Sequence, residues 1–88
     1  MGKIIINSAF WDLGRKDGLL RLCSHRKIGR LPKYEIVRTL GGGVVLDILS
    51  EDIREDKKIL TFQPIGKGDA ISDAMGFAER HETVHSKS

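Results

Sequence analysis

The run His81-Glu82-Thr83-Val84-His85 has the letters of H-E-x-x-H. On a helix, that spacing stacks two imidazoles on one face for zinc and sets a carboxylate beside them as general base. The chemistry also needs a buried helix, a third ligand and a substrate groove. Only three residues follow His85, and the one other histidine is His25, far upstream. The run therefore reads as a solvated helix end, and no metal is expected. Cys23 and His25 lie two apart, so on a strand they would share a face as nucleophile and base. No third orienting group or oxyanion donor is evident, and the expectation is a small buried thiol beside a surface histidine. Gly41-Gly42-Gly43 lies between two β-rich runs and lacks the G-x-x-x-x-G-K-[ST] spacing, so it reads as a hairpin turn. Gly66-Lys67-Gly68 precedes a helix start, a natural anion site, but Asp69 would occupy the free N–H groups with its own carboxylate. With no catalytic, metal or cofactor constellation left, the chain is expected not to be an enzyme and to need no cofactor.

Charge says more. Between positions 15 and 33 stand Arg15, Lys16, Arg21, Arg26, Lys27, Arg30 and Lys33 against Asp17 alone, a net +6, in a chain whose total is +3. Positions 47–56 carry five carboxylates against Arg54. Seven cations, four of them arginine, suit phosphate or carboxylate recognition. The segment has no interleaved aromatics for base stacking and matches no nucleic-acid-binding motif. Phe10-Trp11 is the one adjacent aromatic pair, a core element or, if exposed, a binding anchor. These nine residues are the candidate partner-binding set.

The elements must position those residues. Residues 3–6 read as a short buried strand ending at Asn7-Ser8. Residues 9–14 read either as a helical turn or as an irregular loop, followed by a polar turn over 15–17 between Gly14 and Gly18. Residues 18–24 read as a strand pairing back on 3–6. Residues 24–33 read as a basic loop, since Gly29 and Pro32 oppose helix. Residues 34–40 and 44–49 form a hairpin around the three glycines, and 59–65 a further strand. Asp69 caps a helix reaching about Glu82. Ile71, Ala74, Met75 and Ala78 at i, i+3, i+4 and i+7 give that helix one apolar stripe facing a sheet.

The expected architecture is α+β: an antiparallel sheet of four to five strands with one C-terminal helix on one face. Residues 1–82 form a single domain and 83–88 a flexible tail. The 88-residue length suits one domain, and one cysteine excludes an internal disulfide, as expected for a reducing cytoplasm. The opening apolar run is three residues long, too short for a signal peptide or a membrane span.

From Tyr34 to His81 the pattern is strand, glycine turn, strand, strand, then Gly-Asp-Ala-Ile-Ser-Asp-Ala-Met-Gly-Phe-Ala-Glu-Arg-His. It resembles small phage- and plasmid-borne proteins with a sheet followed by one "D-A-I-x-x-A-x-x-F-A" helix. The resemblance implies an accessory protein of a mobile element and carries over no functional residues. The leading expectation is a non-enzymatic interaction protein that binds and modulates a larger protein machine. The alternative is a small nucleic-acid-binding protein using segment 15–33. No membrane partner is expected. The sheet face opposite the helix would be solvated or meet a partner, and homodimerisation would cover it.

Overall fold

A computed structural model describes residues 4–49, 58–64 and 69–85, with the side chain of His85 left out. Among the described residues seven strands precede one helix: β1 Trp11–Lys16, β2 Leu19–Ser24, β3 Lys27–Ile28, β4 Leu31–Pro32, β5 Tyr34–Arg38, β6 Val44–Ile48, β7 Lys58–Phe62 and α1 Ala70–His85. Five strands make one antiparallel sheet in the order β1-β2-β5-β6-β7. The pair β3-β4 is a separate small hairpin between β2 and β5. Helix α1 packs on β5, β6 and β7. The expected α+β class is the observed one.

Local chemistry explains most of the chain's path. Asp17 and Gly18 both have positive φ, 54° and 80°, the backbone of a two-residue Asp-Gly turn that matches strand twist. This turn joins β1 to β2, one step later than the polar turn expected over 15–17. It also corrects the pairing expected for residues 18–24. The hairpin hands β2's free side to β1, and Ile4 and Ile6 pack against the core without joining the sheet. The turn between β5 and β6 is closed by Thr39 N–H donating to Gly43 C=O at 2.8 Å. A Cβ at Gly43 would stand 2.8 Å from Phe62 C=O, so only glycine fits beside β7 there.

The segment expected as a free basic loop is instead the β3-β4 hairpin, and Ser24 ties its base. The Ser24 hydroxyl donates to Arg26 C=O at 2.7 Å and accepts from Tyr34 N–H at 3.0 Å. Pro32 is tolerated in β4 because a two-residue strand asks few N–H groups of its members.

Asp69 caps the helix: its Oδ1 accepts from Ile71 N–H at 2.9 Å. Ile71, Ala74, Met75 and Ala78, the expected stripe, are all buried against Tyr34, Ile36, Val44, Leu46 and Ile48. The helix runs three residues past the expected end at Glu82, so Thr83, Val84 and His85 are helical rather than tail. The turn at 66–68 and the acidic positions 50–56 lie outside the described residues.

Candidate interaction surface

The seven cations separate into two groups. Arg21 is paired with Glu35 on the neighbouring strand β5. Lys33 is buried, 4% exposed, and its Nζ donates to Glu82 Oε1 at 2.9 Å. Arg26 Nε lies 3.4 Å from Glu82 Oε2. These three cations are paired with carboxylates of neighbouring elements. Arg15, Lys16, Lys27 and Arg30 are exposed, with Arg15 Nη1 donating to Gly18 C=O at 3.3 Å across its own turn.

Glu82 gathers a network at the seam between sheet and helix. Burial alone would raise its carboxyl group. Hydrogen bonds from Lys33 and Tyr34 and the charges of Lys33 and Arg26 outweigh that and hold it below the usual carboxylate range. The Tyr34 hydroxyl stands 3.2 Å from Glu82 Oε1 and 2.8 Å from His81 Nδ1. It has one proton, so when it donates to Glu82 it accepts from His81 Nδ1–H. His81 also stacks on Phe77 at 6.3 Å and meets Tyr34 edge-on at 5.7 Å. It is therefore locked against the sheet, which corrects the expectation of a solvated helix end. The carboxylate and first histidine of the H-E-x-x-H letters are engaged in these cross-element bonds.

Trp11 belongs to the core, 2% exposed, and its indole Nε1 donates to Glu79 Oε2 at 2.9 Å. Phe10 is half-buried beside it, ring centroids 4.7 Å apart. This corrects the exposed-anchor alternative for Trp11. His25 bonds Asp12 Oδ1 through Nε2 at 2.9 Å and Ala9 C=O through Nδ1 at 3.0 Å, not Cys23. Both partners are acceptors, so both bonds coexist only on a doubly protonated ring. Burial pushes the Cys23 thiol up, the reverse of what a nucleophile needs.

The sequence reading expected the sheet face opposite the helix to be solvated or to meet a partner, but did not name the residues that form it. Strand register places Arg21, Cys23, Glu35, Val37, Val45, Asp47, Ile59 and Thr61 together on the side away from α1. Among the described residues no layer lies over it. Ile59 is 58% exposed, and Val37 and Val45 are half-buried. At one corner the β3-β4 hairpin turns Leu31 and Pro32 toward this face. With Lys16, Arg21, Glu35, Asp47 and Leu49 they line a groove of about 260 Å³. Alternation of buried and half-buried residues in β5 and β6 marks this face, with Val37 and Val45 among its outward members.

No protein-family model, curated protein or solved structure matches this chain. Among the described residues no helix is long and apolar enough to cross a membrane.

Proposed function

We propose that this is a non-enzymatic interaction protein whose outer sheet face and adjoining groove receive a protein partner. In its widest form the reading is an accessory protein of a mobile element that modulates a larger machine. The observation that carries it is this face, over which no layer lies among the described residues. It has an apolar centre of Val37, Val45 and Ile59, flanked by charges of both signs at Lys16, Arg21, Glu35 and Asp47. Mixed charge around an apolar patch suits a protein surface, whereas carboxylates among the cations oppose a phosphate backbone.

The test is affinity capture from lysate with cross-linking, with and without nuclease. Wild type retains a specific protein after nuclease treatment. Val37→Glu and Val45→Glu keep the fold, because both side chains already reach solvent, and lose that protein. Retention by both variants would reject this face as the site.

Nucleic-acid binding rests on Lys27 and Arg30, which extend on the β3-β4 hairpin, and on Arg15 and Lys16 at the β1-β2 turn. It predicts capture abolished by nuclease and affinity for generic DNA or RNA that falls by orders of magnitude from low to physiological salt.

A further inference from the structure

β1 is an edge strand, first in the order β1-β2-β5-β6-β7. Its residues from Asp12 to Lys16 are all exposed. Which backbone groups point outward is fixed by one bond, His25 N–H to Phe10 C=O at 2.8 Å. Phe10 and His25 continue the register that sets Trp11 opposite Ser24, so they are a hydrogen-bonded pair. Such pairs alternate along an antiparallel ladder. Asp12, Gly14 and Lys16 therefore turn their N–H and C=O toward β2, while Trp11, Leu13 and Arg15 turn theirs outward. The outward N–H of Trp11 is met by Asn7 C=O at 2.9 Å. Among the described residues, no strand faces Leu13 and Arg15 on that side.

We propose that a second copy of this chain supplies the missing strand, with β1 pairing antiparallel to β1 about a two-fold axis through Gly14. An axis normal to the sheet keeps both helices on one side and allows centres at Leu13, Gly14 or Arg15. The Gly14 centre sets Leu13 opposite Arg15 of the second copy, so that N–H and C=O of both residues are satisfied in each chain. It sets Gly14 against Gly14 in the non-hydrogen-bonded position, where Cα atoms approach to about 4.5 Å and a missing side chain relieves crowding.

One step outward, Asp12 lies opposite Lys16 of the second copy, again in the closer kind of pair. The Asp12 side chain is 75% exposed and gives only Oδ1 to His25, which leaves Oδ2 for that lysine. On the helix-bearing face the two Leu13 side chains become diagonal neighbours, which shields a residue otherwise 62% exposed. A centre at Arg15 would oppose Arg15 to itself, and a centre at Leu13 would oppose Asp12 to Gly14. The Gly14 centre alone pairs each carboxylate with a cation and closes the edge into a ten-stranded sheet.

Sedimentation equilibrium of the full chain tests this. Wild type dimerises and dissociates on dilution. Leu13→Pro removes an outward N–H and none from the β1-β2 ladder, so it stays folded by circular dichroism and becomes monomeric. Asp12→Lys and Lys16→Asp each oppose like charges twice across the axis and weaken self-association by about tenfold or more. Mixed in equal amounts, these two variants regain wild-type affinity as a heterodimer, because every introduced charge then meets its opposite. Val37→Glu, on the outer face, leaves the dimer intact, so failure of the partner reading and failure of the dimer are distinguishable. A wild-type chain monomeric to about 1 mM would overturn the proposal. So would a folded Leu13→Pro variant that dimerises normally, or a charge-variant mixture no tighter than its components.

Discussion

Lys33 carries its ammonium into the seam between β5 and α1, and Glu82 is the group that makes this tolerable. Removing one partner of a buried pair leaves the other desolvated and uncompensated. Glu82→Gln should therefore cost about 2–4 kcal/mol, read as a lowered urea midpoint at neutral pH. The same carboxylate makes part of the stability acid-labile. Its folded pKa lies below the unfolded value, so its contribution is complete above the ordinary carboxylate range and disappears as pH falls through the folded value. Between about pH 5 and pH 3, stability should fall less steeply in Glu82→Gln than in wild type. Equal slopes would assign the acid lability to other carboxylates.

At the scale of elements, α1 is positioned by two unlike faces. Its first turns present the apolar stripe, and its later turns present Glu79, His81 and Glu82 to Trp11, Tyr34 and Lys33. The polar set fixes the rotation and slide of the helix, because three specific donors must be met at once. The apolar set supplies most of the free energy. Met75 is 4% exposed at the middle of the stripe. Met75→Asp should cost on the order of 3–5 kcal/mol or unfold the domain in thermal melts. A melt within a few degrees of wild type would place the stripe against solvent.

At the scale of the whole molecule, the basic segment is divided between structure and surface. Lys27 and Arg30 are exposed, whereas Arg26 lies against Glu82. Lys27→Glu with Arg30→Glu should change stability by no more than about 1 kcal/mol. Adding Arg26→Glu places a like charge beside Glu82 and should cost clearly more than the other two together. A triple variant as stable as the double would show that the Arg26–Glu82 contact contributes nothing, as many exposed pairs do.

The sequence by itself determined the features that depend on neighbours in the chain. The Asp69 cap, the stripe from Ile71 to Ala78, and the hairpin across Gly41–Gly43 follow from local spacing, and together they imply a sheet with one helix. The alternation of buried and half-buried residues in β5 and β6 was not read, because the outward positions Val37 and Val45 are as apolar as the inward ones. The partner of β2 is a local matter as well, although residues 18–24 were read as pairing with 3–6: a short turn at Asp17-Gly18 brings Trp11–Lys16 back at little entropic cost, while the Ile4–Ile6 run would have to close a longer loop to reach the same edge. Tertiary structure alone decided the fate of the cations, because Glu35 lies 14 residues from Arg21 and Glu82 49 from Lys33. A charge in a sequence carries no sign of whether its counter-ion will be water, a distant carboxylate or another molecule. Only the packing of helix on sheet separates Lys33, enclosed with Glu82, from Lys27 and Arg30, left exposed to solvent.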